Sequence, residues 1–112
     1  MPSDIRVTAA VAKVLAAFLE DPAVDRYGLD LMRATDHPSG TLYPILTRLE
    51  QAGWLVAEWE ADHDPVAEGR PTRRYYRLTP DGVVAARAAV AALYEQLSRA
   101  HQPAKATKPR PA

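Results

Sequence analysis

Five residues between positions 39 and 52 share one face of an amphipathic segment and carry groups that can bind a nucleic acid. Hydroxyl groups and a guanidinium donate hydrogen bonds to phosphate oxygens or base edges, and tyrosine and proline rings can contact a thymine methyl group. Taken alone, such a face is more often a solvated helix surface than a binding site. The residues are Thr41, Tyr43, Pro44, Thr47 and Arg48.

Charge is concentrated in two adjacent stretches, although the net charge of the 112-residue chain is zero. Residues 58–68 contain five acidic residues and no lysine or arginine, and residues 70–77 contain four arginines and no acid. Phosphates respond to charges within about a Debye length, ~8–10 Å, so this local segregation matters more than the total. The zero net charge still counts mildly against nucleic-acid binding, because such domains are often basic.

The four arginines cannot all contact one row of phosphates, because alternate residues of a strand point to opposite faces. Arg70 and one or both of Arg73 and Arg74 are predicted to contact DNA in or along the minor groove. The remaining arginine is predicted to form an exposed ion pair across a hairpin, which contributes little energy. This pair is Arg77 with Glu58 or Glu60.

The residues Asp62, His63 and Asp64, with Glu68, have types and spacing that a metal site could use. A polar hairpin tip usually stays solvated instead, and this is the favoured interpretation. The chain has no cysteine, which excludes disulfides, thiolate nucleophiles and cysteine zinc sites. It also lacks a serine elbow, a glycine-rich phosphate loop and a histidine pair at ligand spacing. No enzyme, catalytic residue, cofactor or metal is therefore expected.

Length and composition fit one folded domain. Hydrophobic residues make up 47% of the chain, which suffices for a core. No apolar run approaches the ~18 residues of a membrane span, and the first residues do not resemble a signal peptide. A cytoplasmic protein without a membrane partner is therefore expected.

Apolar residues at helical spacing predict helices over residues 4–20, 27–33, 39–52 and 80–100. In the first helix, the predicted buried face consists of Val7, Val11, Val14, Leu15, Phe18 and Leu19. In the second helix it consists of Leu29 and Met32, with Leu31 as a further candidate. In the third helix it consists of Leu42, Ile45, Leu46, Leu49 and Ala52. The remaining face of the third helix is the polar one.

Cap residues mark the ends of these helices. Ser39 is the predicted N-cap of the third helix, and Gly53 fits a left-handed cap at its end. Pro44 lies in or just past the first turn, where a missing N–H costs least. Thr79 is the predicted N-cap of the last helix, with Pro80 at its first position.

Residues 54–60 and 73–79 are rich in strand formers and predict a two-stranded hairpin. Between them, residues 61–72 are polar and contain prolines and a glycine, so a long, mobile tip is expected. Residues 101–112 combine prolines with basic residues and no apolar periodicity, which predicts a disordered basic tail.

The element order is therefore helix, helix, helix, strand, wing, strand, helix. This order predicts a mainly α fold with a small β-hairpin, a winged helix-turn-helix. Its expected divisions are a DNA-binding domain at residues 1–79, a dimerisation helix at 80–100 and the tail at 101–112. In helix-turn-helix proteins the second helix of the pair enters the major groove and its N-terminal residues meet base edges, so the polar face of the third helix is predicted to contact DNA.

The last helix carries a heptad-like seam. Val83, Val90 and Leu97 repeat every seven residues, and Ala86, Leu93 and Ala100 form a second row. The seam could pack only on its own domain, but its length beyond a small core favours a partner helix.

Three stretches resemble the PadR family of transcriptional regulators. Residues 40–55, GTLYPILTRLEQAGWL, resemble the family's reading helix and the entry to the first wing strand. Residues 68–79, EGRPTRRYYRLT, are similar to its wing closure, and residues 27–31, YGLDL, are similar to the start of its second helix. The resemblance covers residues 5 to about 99, and the single C-terminal helix is similar to the smaller subfamily, whose members dimerise through the first and last helices.

This resemblance implies a homodimeric, sequence-specific regulator, more often a repressor, that binds double-stranded operator DNA. A small aromatic effector could fit between the first and last helices of two subunits, and Trp54 and Trp59 are interpreted mainly as packing residues and secondarily as pocket lining. The alternative is a winged helix that binds another protein and no DNA. The predicted DNA contacts are Tyr27, Ser39, Thr41, Tyr43, Pro44, Thr47, Arg48, Arg70, Arg73 and Arg74. The predicted dimer interface is Val7, Val11, Val14, Phe18, Val83, Val90, Leu93, Tyr94 and Leu97.

Overall fold

The computed structural model describes residues 4–101. Within them, helices and short strands alternate in an order close to the predicted one. The elements are α1 (Ala9–Leu19), β1 (Arg26–Tyr27), α2 (Gly28–Thr35), α3 (Ser39–Gln51), β2 (Leu55–Trp59), α4 (Pro65–Glu68), β3 (Arg74–Leu78) and α5 (Pro80–His101). The predicted disordered tail lies outside the described residues, apart from His101, which ends α5.

The first helix begins at Ala9 rather than at residue 4, because Thr8 caps it. The backbone N–H of Val11 donates to Thr8 Oγ1 at 3.3 Å, which satisfies one of the free donors of the first turn. The apolar stripe lies as predicted, with Val14, Leu15 and Phe18 fully buried. α1 therefore forms the centre of the core, between α2, α3 and α5.

The buried face of α2 differs from the prediction. Leu31 is fully buried, whereas Leu29 is 47% exposed and Met32 is half-buried. Thr35 lies one turn beyond Leu31 on the same face, and its hydroxyl donates to the Leu31 carbonyl at 2.7 Å. The helix then ends at Asp36, whose left-handed backbone (φ 57°) is one that a short polar side chain tolerates.

The third helix buries Leu42, Ile45, Leu46 and Leu49, as the periodicity predicts. Its N-cap is Pro38 and not Ser39, which is instead the first helical residue and makes no capping hydrogen bond. The extended backbone of proline (ψ 163°) precedes the helix without needing a side-chain acceptor. At the other end, Gly53 has φ 83° and confirms the predicted left-handed termination.

The sheet has three strands in the order β1-β3-β2, one more than predicted. β2 and β3 form the expected antiparallel hairpin, with Val56 opposite Arg77 and Glu58 opposite Tyr75. The additional strand, β1, is only two residues long and places Tyr27 opposite Tyr75. It ties the start of α2 to the far edge of the hairpin.

The tip of the hairpin carries a short helix, α4, where the sequence predicted a mobile polar loop. Asp64 caps α4 by accepting hydrogen bonds from the N–H groups of Val66 and Ala67 at 3.0 and 3.3 Å. Gly69 ends it with φ 69°. The β2–β3 hairpin together with α4 is called the wing below.

The last helix starts as predicted, because the Thr79 hydroxyl accepts a hydrogen bond from the Gly82 N–H at 2.9 Å. A side chain at Gly82 would collide with the Trp54 carbonyl oxygen, so this close approach requires glycine. The first half of α5 packs on α1 around Ala86, which is fully buried. The result is a mainly helical winged helix-turn-helix with a long C-terminal helix against the N-terminal one.

Candidate nucleic-acid interface

The polar face of α3 is open to solvent, because the core residues occupy the opposite face. Tyr43 is 43% exposed, and Thr41 is half-buried. The other predicted contacts on this helix are exposed, namely Ser39, Pro44, Thr47 and Arg48. Their hydroxyl and guanidinium donors are therefore available to a ligand, as a reading helix requires.

Tyr43 lies across the start of α2. Its hydroxyl occupies the space that a Cβ on Gly28 would fill, and its ring carbon Cζ is also in contact with that space. Gly28 is buried, so Tyr43 covers it. The absence of a side chain at Gly28 thus allows the ring of Tyr43 to pack between α2 and α3. The sequence did not indicate this role for the glycine.

Arg26 is a second positioning residue that the sequence analysis did not identify. Its guanidinium donates to the Ala17 carbonyl at 2.6 Å and to both carboxylate oxygens of Asp30 at 2.5 and 3.0 Å. The hydrogen bond with Asp30 raises the pKa of Arg26 and lowers that of Asp30. Because Arg26 joins α1 to α2, it holds β1 and the adjacent Tyr27 in place.

The wing arginines differ in how far their charges are already neutralised. Arg70 donates from two nitrogens to the two carboxylate oxygens of Glu60, each at 2.9 Å. This hydrogen bond holds the pKa of Glu60 at about 2 and raises that of Arg70. A bidentate pair of this kind fixes both side chains, so Arg70 closes the wing tip and its donors are largely engaged.

Arg74 and Arg77 also have acidic partners. Arg74 lies 3.2 Å from Glu50 at the end of α3 and has its guanidinium 5.3 Å from the centre of the Trp59 ring. Arg77 pairs with Asp25 at 2.6 Å, so its predicted pairing with Glu58 or Glu60 is wrong. The register places Arg77 opposite Val56, and its partner Asp25 directly precedes β1.

Arg73 makes no ion pair with a carboxylate among residues 4–101, unlike the other three wing arginines. Its guanidinium carbon instead lies 4.2 Å from the centre of the Tyr27 ring. Tyr27 in turn packs edge-to-face on Tyr75, with centroids 5.6 Å apart. The backbone of Arg73 is fixed by Glu60, whose N–H donates to the Arg73 carbonyl at 2.8 Å. Arg73 therefore presents a positive charge without a carboxylate partner among residues 4–101, where the strands of the hairpin meet the wing tip.

His63 lies in the wing tip, with a side chain only 1% exposed. Its Nε2 donates to the Arg70 carbonyl at 2.9 Å, and its Nδ1 faces Glu68 at 3.1 Å and Glu60 at 3.6 Å. Among residues 4–101 no group of three acidic or histidine side chains is arranged to hold a metal ion. The acidic cluster serves to close the wing tip around Arg70.

The family model for the transcriptional regulator PadR-like family matches residues 18–88, more than half of the chain. The chain belongs to the PadR-like family of transcriptional regulators. This family comprises regulators and not enzymes. The match spans β1, α2, α3 and the wing, the elements that carry Tyr27, Tyr43 and Arg73. No curated protein matches the chain in sequence.

Several solved structures have the same fold as this PadR-like protein. A PadR-like transcription factor from Bacteroides fragilis is 26% identical, with a TM-score of 0.57 over 78% of this chain and 84% of the other. The Streptococcus mutans protein smu.1704 is 29% identical, with a TM-score of 0.56 over 87% and 85%. Reduced AbfR bound to DNA is 25% identical, with a TM-score of 0.63 over 91% and 65%. In another structure of AbfR, from Staphylococcus epidermidis, the match with this chain spans 60% of the AbfR chain.

The predicted dimer surface of the PadR-like chain is divided by the fold. Val11, Val14 and Phe18 are buried in the core of one protomer, so their assignment to a dimer interface is corrected: a partner cannot reach them. The second half of α5 is different, since Tyr94 is 73% exposed and Leu97 is 55% exposed. The predicted residues of intermediate exposure are Val7, Val83, Val90 and Leu93.

The two tryptophans have different surroundings. Trp54 is 4% exposed and packs in the core, whereas Trp59 is 63% exposed beneath Arg74. Neither borders the apolar groove between α1 and α5. In the part of the chain that the structure describes, no helix has the length and hydropathy to cross a bilayer.

Proposed function

We propose that this PadR-like protein is a homodimeric repressor that binds a pseudo-palindromic DNA operator. The observation that carries the proposal is the exposed polar face of α3, which adjoins a wing whose Arg73 charge no carboxylate of residues 4–101 compensates. In helix-turn-helix proteins this helix reads base edges from the major groove, and flanking cations contact the backbone or minor groove. Acting on DNA, the protein would work in the cytoplasm.

The side chains proposed to contact DNA divide by chemistry. Tyr43 and Pro44 offer ring surfaces for thymine methyl groups, and Arg48 can donate to a phosphate or a guanine edge. Thr41, Thr47 and Ser39 supply hydroxyl donors for phosphates.

Among the wing arginines, Arg73 is the strongest candidate for a DNA contact. A phosphate would have to compete with Glu60 for Arg70 and with Glu50 for Arg74. Tyr27 supports Arg73.

The homodimer is supported by the exposed apolar surface of α5. A groove of about 300 Å³ lies between the outer faces of α1 and α5. It is lined by alanines of α1 and, on α5, by Tyr94 and the seam residues Val90, Leu93 and Leu97. Packing this surface against the same surface of a second chain would form a two-fold interface and set two reading helices about one turn of DNA apart, ~34 Å.

The same groove supports the proposal of a small aromatic effector. Its size is at the lower end of ligand pockets, ~300–1,000 Å³, and its lining is almost wholly apolar except for Lys13 and the Tyr94 hydroxyl. A ligand there would release DNA only if it favoured one dimer geometry over another. Titration of the dimer with phenolic and cationic aromatic compounds, followed by calorimetry, would test this part of the proposal.

The alternative is a winged helix that binds another protein and no DNA. It is favoured by the zero net charge of the chain and by the carboxylate partners of Arg70, Arg74 and Arg77. A gel shift on the DNA upstream of the protein's own gene, followed by selection of bound sequences from a random library, separates the two functions. A specific site supports the repressor, and no retention of any sequence supports the alternative.

Salt dependence gives the second test of DNA binding. If each subunit of a dimer neutralises three to five phosphates, log affinity should fall with log salt concentration at a slope of roughly −5 to −9. Fluorescence anisotropy of a labelled operator at several salt concentrations measures this slope. An affinity that does not change with salt would rule out the proposed phosphate contacts.

A further inference from the structure

We infer that Tyr27 is a positioning residue that aims Arg73 at DNA through its ring face and not through its hydroxyl. This inference deepens the proposed function and rests on it. The starting observation is that the Arg73 guanidinium lies 4.2 Å from the centre of the Tyr27 ring, well inside the ~6 Å range of a cation–π contact.

The fold places these two side chains together by strand geometry. Tyr27 is directly opposite Tyr75 in the pairing of β1 with β3. Arg73 precedes Tyr75 by two residues and therefore lies on the same face of the sheet, diagonal to Tyr27. Tyr75 supports the platform from its other edge, with the ring planes at 73°. The arrangement thus depends on β1, whose two residues pair only in this register.

The chemistry of stacking leaves Arg73 able to bind an anion. A guanidinium carries five N–H donors in its own plane. Contact of its face with an aromatic ring uses none of them, whereas a bidentate carboxylate pair, such as Arg70 with Glu60, occupies two. Tyr27 therefore fixes the direction of Arg73 while its hydrogen-bonding edge stays available for a phosphate oxygen or a base edge in the minor groove.

Fixing this side chain before binding should raise the affinity for DNA. Immobilising a flexible side chain at an interface costs entropy, and a side chain that is already oriented avoids much of that cost. The Arg73 backbone is held on both sides by Glu60, through the N–H of Arg73 at 3.2 Å and its carbonyl at 2.8 Å. With the backbone fixed independently, loss of the Tyr27 ring should free the arginine side chain without opening the wing.

The experiment is a double-mutant cycle on the full-length protein with its selected operator. We expect Tyr27→Leu to weaken DNA binding roughly 3- to 10-fold, the range of a partly desolvated cation–π contact. In an Arg73→Ala background the same substitution should change the affinity less than about twofold, because the side chain to be aimed is gone. Tyr27→Phe, which keeps the ring and removes the hydroxyl, should bind DNA nearly as well as the wild type.

Two controls separate positioning from folding and from a general loss of aromatic surface. In the free protein, the Arg73 side-chain protons should show upfield NMR shifts from the Tyr27 ring in the wild type and in Tyr27→Phe, but not in Tyr27→Leu. Trp59→Leu is the matched control, because Trp59 lies under Arg74, which Glu50 also holds. It should change the affinity less than about twofold.

The inference is overturned if Tyr27→Phe binds DNA as weakly as Tyr27→Leu, since the hydroxyl would then be the contact. It is also overturned if the two substitutions at Tyr27 and Arg73 are additive, or if Trp59→Leu weakens binding equally. Absence of any specific operator for the wild type would instead contradict the proposed function, and the NMR shifts of the free protein would still show whether the platform exists.

Discussion

Tyr43 of α3 packs against Gly28 of α2 and so links the two helices of the helix-turn-helix. The tyrosine hydroxyl fills the space above the glycine, although 43% of the side chain remains exposed. A tyrosine that lay free in solvent would lose rotamer entropy on binding DNA. Packing against Gly28 restricts it beforehand, so we expect the glycine to contribute to binding without touching DNA.

We predict that Gly28→Ala weakens operator binding about tenfold while the domain stays folded. The new methyl group would displace the flexible end of the Tyr43 side chain and not the backbone, so the cost falls on the orientation of the ring. A good contact with a base edge contributes ~1–3 kcal/mol, so a misplaced ring is expected to cost about tenfold in affinity. Operator affinity and the thermal midpoint should be measured together, and Tyr43→Ala should show a similar loss of affinity.

Gly40→Ala is the stability control for this prediction. No heavy atom lies within 4 Å of a Cβ at Gly40, and alanine in a helix is more stable than glycine by about 0.5–1 kcal/mol. The thermal midpoint of the Gly40→Ala variant should therefore be higher than that of the wild type. If Gly28→Ala leaves the operator affinity unchanged, then Tyr43 does not need its observed position to bind DNA.

At the residue scale, the sequence predicts which side chains are buried better than it predicts which charges pair. The buried positions of α1 and α3 follow from spacing alone, because a helix repeats its face every three to four residues. Arg77 pairs with Asp25, which is 52 residues away, and no local pattern contains this partner. Pairing depends on the strand register, which becomes known only with β1.

At the scale of elements, the wing is a closed structure and not the mobile loop that its composition suggests. Prolines, a glycine and polar residues are typical of both mobile loops and tight caps, so composition could not distinguish them. Here Asp64 caps α4, and Glu60 holds both the Arg70 side chain and the Arg73 N–H. Two-residue strands such as β1 show no periodicity, so the sequence does not predict the third strand.

The wing tip should open in acid, because its central carboxylate must stay ionised. The pKa of Glu60 is lowered from 4.5 to about 2, mainly by the hydrogen bond from Arg70. A lowered pKa means that the stabilising contribution is complete above about pH 4.5 and is lost as the pH falls from 4.5 towards 2. NMR detection of the Arg73 amide, which donates to Glu60, should report this transition.

Glu60→Gln tests the assignment at neutral pH. A neutral amide cannot form the charge-assisted bidentate pair with Arg70, so the Arg73 and Gly69 amides should exchange with solvent faster and lose their acid transition. Glu58→Gln is the matched control, since Glu58 is an exposed acid on the same strand and its removal should leave both amides unchanged. An acid transition that persists in Glu60→Gln would assign it to another group.

At the scale of the whole molecule, the fold separates the exposed polar face of α3, proposed to bind DNA, from the outer surface of α5. Residues 91–100 are exposed except for Leu93, and the heptad-like seam continues through them beyond the part of α5 that packs on α1. The role of this seam in association stays a prediction, whereas the α1 residues assigned to the same interface are buried in the core. An apolar stripe on α1 cannot by itself show whether it faces its own core or a partner, because both require the same residues.

We predict that Leu97→Asp converts a dimer into a folded monomer. Leu97 is 55% exposed in one protomer, so an aspartate there costs the isolated chain little, whereas in a two-fold interface it would bury two unpaired charges. Light scattering after size-exclusion chromatography should give twice the 12.3 kDa chain mass for the wild type and the single mass for the variant. Operator affinity should fall more than about tenfold, since one reading helix per half-site depends on the dimer.

Val84→Asp is the matched control, because it places the same charge at another exposed apolar position of α5. Val84 is 70% exposed and lies thirteen residues before Leu97, on a roughly opposite side of the helix. This variant should remain dimeric and melt close to the wild-type temperature. If Leu97→Asp also remains dimeric, the exposed end of α5 is not the interface, and the spacing of two half-sites must be set by another surface. If both variants become monomeric, the added charge acts on α5 as a whole and the seam has no special role in association.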